Sequence, residues 1–269
     1  MTATERGLAA RFQEAGRPLL MPYATGGFPD REGCLQLLQT YVESGADVVE
    51  IGVPFSDPLA DGPVIQATSQ VALEQGTDPA LVLGIAAQVA EMGVGVVLLS
   101  YLNTILAPGA EDFFRACWRS GVLGVVIPDL PVEEADLICR AGRKEGVDVV
   151  LLAAATSPEE RLAKIGRASA GFVYCVSAPG VTGVRKKVDT GLPAFLDRLR
   201  MHTDLPLAVG FGVSTPEQAG EVAGVADGVI IGSRLMSIVR EEEDFRVGLS
   251  QVASFLHDVR EEMSVAERD

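Results

Sequence analysis

Eight short apolar runs, rich in β-branched residues and separated by amphipathic segments, constrain this chain more than any other feature of its sequence. They are LLMPYA (19–24), DVVEIGV (47–53), VGVVLLSY (94–101), LGVVIPD (123–129), DVVLLAAA (148–155), GFVYCVS (171–177), LPLAVGFG (205–212) and DGVIIGS (227–233). Near-continuous apolar runs, rather than alternation, signal strands covered on both faces, as in a parallel sheet. The segments between them carry helix-start signals. Ser157-Pro158-Glu159-Glu160 and Ser214-Thr215-Pro216-Glu217 each join a cap residue, a proline and first-turn acids. Eight strand–helix repeats predict an α/β fold, a single-domain (β/α)8 TIM barrel spanning residues 1–269. A doubly wound open sheet is the competing arrangement, but it needs an early G-x-G-x-x-G turn that the first strand–helix junction lacks. Outside the repeats, the pattern predicts an extra N-terminal capping helix over about 3–15 and a polar, acidic helix over about 241–264. The junctions at 54–63 and 178–191, after strands 2 and 6, are longer than usual. In a barrel they fall on the C-terminal face, where long loops act as lids or binding elements.

The formal charge of -15 over 269 residues excludes a nucleic-acid partner, which would demand clustered Lys and Arg. The same field repels anions, so any phosphate has to be captured by local backbone amides. No apolar stretch near the start is long enough for a signal peptide or membrane span, so a cytoplasmic chain with no membrane contact is expected. Cys34, Cys117, Cys139 and Cys175 lie far apart within apolar patterns and read as buried free thiols. The two histidines, His202 and His257, show no companions at ligand spacing, and no metal is expected.

Glu50 stands inside the second apolar run, where a lone carboxylate is costly unless protonated or paired. No strand offers a basic partner. A carboxyl with a raised pKa at the catalytic face would suit proton donation and acceptance near neutrality. Asp61 lies eleven residues on, in a loop able to fold over the same mouth. A solvated or hydrogen-bonded aspartate there would stay ionised and take a second role, although Asp before Gly is also ordinary turn chemistry. Asp57, before Pro58, fits a turn former or a partner-facing residue equally. Gly180-Val181-Thr182-Gly183, Gly210-Phe211-Gly212 and Gly232-Ser233 end successive strands, where glycines and a helix start can hold a phosphate. Tyr174 reads as core aromatic or polar lining; Leu99 and Phe211 read as packing or as the wall of an aromatic pocket. Arg185-Lys186-Lys187 reads as a solvated loop.

The block EIGVPFSDPLADGPVIQ (50–66) resembles the signature of the tryptophan synthase alpha chain family. PYATGGFPD (22–30), SYLN (100–103), IPDLPVEE (127–134), YCVSAPGVTG (174–183), GFGVSTPEQ (210–218) and DGVIIGS (227–233) agree in order and spacing. The resemblance implies retro-aldol cleavage of indole-3-glycerol phosphate to indole and glyceraldehyde 3-phosphate. It implies that Glu50 shuttles the proton, that Asp61 accepts a hydrogen bond from the indole N–H, and that Tyr174 lines the catalytic site. It places Tyr23, Leu99, Val126, Thr182 and Phe211 around the indole, and Gly183, Gly212, Gly232 and Ser233 at the phosphate. No cofactor is implied in this chain. A pyridoxal-phosphate (PLP) beta chain is implied as partner in an α2β2 tetramer, faced by Pro54, Asp57 and Asn103. A stand-alone lyase that releases free indole is the alternative the resemblance leaves open. The sequence departs from the family pattern at Gly26, where a larger side chain is usual, and at Pro179 in the second lid.

Overall fold

The apolar runs are the strands of a parallel barrel. The computed structural model describes residues 7–176, 190–210 and 212–266. Its strands are β1 (Leu19–Thr25), β2 (Val48–Gly52), β3 (Gly95–Leu99), β4 (Gly124–Val126), β5 (Asp148–Val150), β6 (Leu152–Ala154), β7 (Val173–Val176), β8 (Leu207–Val209) and β9 (Gly228–Ile231). Their order across the sheet is β5-β4-β3-β2-β1-β9-β8-β7-β6, and every pairing is parallel. The two ends of that order are one strand: β5 pairs with β4, β6 pairs with β7, and only Leu151 separates them. The Leu151 carbonyl accepts from Tyr174 N at 3.1 Å, and the Val150 carbonyl accepts from Ile127 N at 3.4 Å. The strand therefore bends at Leu151 and closes the ring, which gives the expected eight strand positions from nine segments.

Two apolar cores follow from the alternation of side chains along each strand. Ile51, Leu98, Val125, Val149, Val173 and Val229 face outward and pack beneath the helices. Met21, Val48, Val97, Val126, Val150, Tyr174, Ala208 and Ile230 fill the interior. The N-terminal helix, described from Leu8 to Ala15, closes the N-terminal end of the barrel. Leu8 is fully buried there, its N–H donates to Asp148 Oδ2 at 3.1 Å, and the Phe12 ring meets Phe172 at 5.7 Å.

The outer layer departs from one helix per strand. Between β2 and β3 the chain forms two helices, Pro63–Glu74 and Pro79–Ala90, broken at Gly76 with φ +80°. The expected terminal helix spans Phe245–Ala266 and follows a separate helix, Ser233–Glu241. It is tied to the barrel by a charge cluster. Arg17 makes a bidentate pair with Asp47 at 2.8 and 2.9 Å, and Arg260 reaches Asp47 Oδ2 at 2.8 Å. The two guanidinium partners hold the Asp47 carboxyl below its ordinary pKa, against the effect of its burial. All four cysteines are free and buried, as expected. No described helix is long and apolar enough to cross a membrane.

Candidate active site

Strand register sets the site at the C-terminal mouth of the barrel. Glu50 pairs with Tyr23 on one side and Val97 on the other. It belongs to the inward row of β2 that begins with Val48, so its side chain enters the barrel rather than the helix layer. It is 2% exposed, and among the described residues its Oε1 has no hydrogen-bond partner. Burial and the nearby Asp61 charge together raise its pKa to about 8. Among the described residues no basic group opposes that shift, in agreement with the lack of a basic partner on any strand of the sequence.

The residue above Glu50 in the same row is Gly52. A Cβ there would stand 2.1 Å from the Tyr23 hydroxyl, so the glycine lets that ring lie across β2. Gly210 does the same for Tyr174: its Cβ would stand 2.1 Å from the Tyr174 hydroxyl, which donates to the Gly210 carbonyl at 3.4 Å. Two tyrosine rings thus flank the carboxyl, both buried. Leu99, half-buried, and Val126, fully buried, come from β3 and β4 and supply apolar surface beside them.

Asp61 arrives on the segment after β2, in a turn closed by its own N–H donating to the Pro58 carbonyl at 3.0 Å. The helix Pro63–Glu74 starts just beyond it, and Gln66 donates to the Asp61 carbonyl at 2.8 Å. A solvated or hydrogen-bonded aspartate was expected; the carboxyl is largely covered, and the hydrogen-bonded alternative is the one observed. Burial raises its pKa to about 6, and a hydrogen bond from Tyr101 opposes that rise. The two carboxyls therefore still separate in the expected sense. At neutral pH the deeper one keeps its proton and the other has mostly lost it, the condition for one acid and one anion in a single site.

Gly212 and Gly232, two of the glycines expected to hold a phosphate, lie at the same mouth. Gly212 follows β8 with φ +86°, and no described atom lies within 4 Å of a Cβ built there. Gly232 precedes the helix Ser233–Glu241, whose N-terminal amides receive no side-chain cap among the described residues. The helix Pro216–Ala223 differs: Thr215 and Gln218 form a capping box, and Gln218 Oε1 also accepts from Ser214 N at 2.8 Å. Of these two helix starts, which follow β8 and β9, the Gly232–Ser233 end is therefore the one open to an anion.

Of the residues expected to face a partner, Asp57 and Asn103 are exposed, whereas Pro54 is buried within this chain. Thr182, Gly183, Phe211, Pro179 and the Arg185-Lys186-Lys187 cluster lie outside the described residues, as does most of the 178–191 junction. Gly26 has a packing reason: a Cβ would stand 2.9 Å from Val82 Cγ2 and 3.0 Å from the Gly52 carbonyl. His257 does have acidic companions, since the adjacent Asp258 and Glu261, one helical turn along, come close to it, but all three are exposed on the terminal helix. Tyr101 was missed as a site residue; its position two residues beyond Leu99 was the available signal.

Comparison with known proteins agrees with this geometry. Residues 9–264 match the family model described as the tryptophan synthase alpha chain. The chain is 45% identical to a tryptophan synthase alpha chain of Gloeobacter violaceus, over 89% of this chain and 87% of that one. It is 42% identical to one from Dehalococcoides mccartyi, over 92% and 96%. Among solved structures, tryptophan synthase of Mycobacterium tuberculosis superposes with a TM-score of 0.88 at 34% identity, covering 95% of this chain and 97% of that one. The alpha subunit of Legionella pneumophila str. Paris gives 0.86 at 32%, covering 98% and 99%. With the fold, the order of motifs and near-full-length similarity in agreement, this chain belongs to the tryptophan synthase alpha chain family.

Proposed function

We propose that this chain is a carbon–carbon lyase that cleaves indole-3-glycerol phosphate into indole and glyceraldehyde 3-phosphate, with Glu50 and Asp61 carrying the chemistry. The protonated Glu50 carboxyl donates to indole C3, and the ring becomes an indolenine cation. Ionised Asp61 accepts a hydrogen bond from the indole N–H and stabilises that positive charge. The Glu50 carboxylate then takes the proton of the glycerol hydroxyl next to the ring. As the C=O of the aldehyde forms, the C–C bond breaks and its electron pair returns to the ring, releasing indole. The ring itself is the electron sink, so the step requires no cofactor in this chain. Tyr23, Leu99, Val126, Thr182 and Phe211 wall the indole, with Tyr174 beside the carboxyl. Gly183, Gly212, Gly232 and Ser233 present amides to the phosphate, which matters for a chain of net charge -15.

The observation that carries this reading is a buried carboxyl, without a basic partner among the described residues, sharing the barrel mouth with a second carboxyl. The whole chain acts as one domain. A PLP-dependent beta chain receives the indole in an α2β2 assembly, in the cytoplasm. Asp57 and Asn103 meet that partner together with Leu59, which is 93% exposed on the same loop; Pro54 shapes the loop beneath them. Replacing Glu50 by Gln tests the assignment. Indole release from indole-3-glycerol phosphate is expected to fall by at least about 10³-fold, while calorimetric binding of the substrate persists. Near-normal release by Glu50→Gln would overturn the proton-shuttle role.

A further inference from the structure

Tyr101 lies just past β3, 2% exposed, and it touches the loop after β2 at both of its ends. Near the start of that loop the Phe55 ring stacks on Tyr101, with centroids 5.0 Å apart and planes 20° apart. Near the end, the backbone N–H of Ala60 donates to the Tyr101 hydroxyl oxygen at 3.0 Å. A tyrosine hydroxyl has one proton to give. With the Ala60 amide fixing one side of the oxygen, that proton is directed away from Ala60, and the adjoining acceptor is the carboxylate of the very next residue, Asp61. We propose that Tyr101 is a positioning residue: pinned by Phe55 and the Ala60 amide, it turns its only proton to Asp61 and holds that carboxylate at the barrel mouth.

The charges around this pair are few. Asp61 faces Glu50 on β2, Tyr23 on β1 and Tyr174 on β7, as well as Tyr101. Tyr101 faces Asp61 and Asp129. Asp129 Oδ1 accepts from Leu102 N at 2.8 Å and acts on Tyr101 through its charge alone, whereas Asp61 is the carboxylate that takes the hydrogen bond of the hydroxyl. Donation to a carboxylate favours its charged form, so Tyr101 counters the desolvation that pushes the Asp61 pKa up to about 6.

The inference rests on the role given to Asp61 above, and its test separates the two. The kcat/KM of cleavage is followed against pH. In the parent chain it is expected to fall below about pH 6, as Asp61 takes up a proton, and above about pH 8, as Glu50 loses one. Tyr101→Phe keeps the ring and its stack but removes the hydroxyl. Its acid limb should move upward by about half a unit to one unit, with the alkaline limb unchanged, so the loss is several-fold larger at pH 6 than at pH 7.5. Phe55→Leu keeps the hydroxyl and should lower the rate without moving the acid limb. An unmoved acid limb in Tyr101→Phe, with the rate lowered evenly across pH, would leave Tyr101 a mere packing residue and overturn the inference. Asp61→Asn is the control. If it still cleaves with the parent's acid limb, the role of Asp61 itself is wrong; if it is inactive while Tyr101→Phe leaves the limb in place, only the role of Tyr101 falls.

Discussion

Glu50 places a titratable group where folding alone would put a leucine or valine, and that choice has a cost that can be measured. Its pKa of about 8 lies well above the ordinary 4.5 of a glutamate. Below pH 4.5 the carboxyl is neutral both folded and unfolded, so the stability of the neutral form is fully present. As pH rises, the unfolded chain ionises first, and stability is lost progressively until the folded carboxyl also ionises near pH 8. Each unit of separation corresponds to about 1.4 kcal/mol, so the accumulated loss is on the order of a few kcal/mol. Gln at position 50 has no such titration. Thermal melts of the parent and Glu50→Gln between pH 5 and 8.5 should therefore diverge, the variant gaining Tm relative to the parent as pH rises. The slope is the diagnostic, because the amide brings its own unpartnered polar atoms and can shift the whole curve. Parallel curves would mean that Glu50 ionises as it does in the unfolded chain, and the argument for a strained proton shuttle would fail.

At the scale of elements, β2 and β8 each omit a side chain so that a tyrosine from a neighbouring strand can cross above them. Gly52→Ala would put a Cβ 2.1 Å from the Tyr23 hydroxyl and 2.7 Å from its ring carbon Cζ. The ring has little room to retreat, since a Cβ on Gly232 would already be 3.3 Å from Tyr23 Cβ, and Tyr41 donates to the Tyr23 carbonyl at 2.9 Å. The expected cost is about 1–3 kcal/mol of stability, read from the urea midpoint, with a clear loss of indole release because the displaced ring lies over Glu50. An unaltered midpoint would show that Tyr23 can repack. These two glycines also mark how much a sequence can say. All eight strands were legible, because parallel strands covered on both faces write themselves as apolar runs, and Glu50 was legible because a carboxyl inside such a run has no structural reason to be there. Gly52 and Gly210 were not, because their partners, on the neighbouring strand in space, are distant in sequence and the period-2 pattern says only that they face inward. The second helix between β2 and β3 was legible in part: Asp78 caps it through Leu81 N and Pro79 opens its first turn, but the count of one helix per strand merged it with Pro63–Glu74 across the break at Gly76. The covered state of Asp61 was illegible as well, since its partner Tyr101 lies forty residues along, just past another strand.

Across the whole molecule, the two ends of the barrel do different work, as the fold requires. The candidate site occupies the C-terminal mouth, where strand ends and loops can vary. The N-terminal end is plugged by Leu8 and Phe12 and braced by the Asp47–Arg17–Arg260 cluster. Leu8 sits in a socket made for it: a Cβ on Gly124 would lie 2.4 Å from its Cδ1, and one on Gly171 would lie 2.9 Å from its Cβ. Such tight seating leaves little freedom for collapse after truncation. Leu8→Ala is expected to cost about 2–5 kcal/mol of stability, lowering the denaturation midpoint, because the cavity opens among strand residues that cannot move inward without breaking the ring. The same change should leave kcat and KM for indole-3-glycerol phosphate unaltered in the folded protein, because Val48 precedes Glu50 in the inward row of β2 and packs in the same interior core as the plug. Kinetics recorded well below the midpoint, beside an equilibrium unfolding curve, would read both quantities on one preparation. A fall in kcat in fully folded Leu8→Ala would show that packing at the closed end reaches Glu50 through the interior, and the division between a stabilising end and a chemical end would have to be given up.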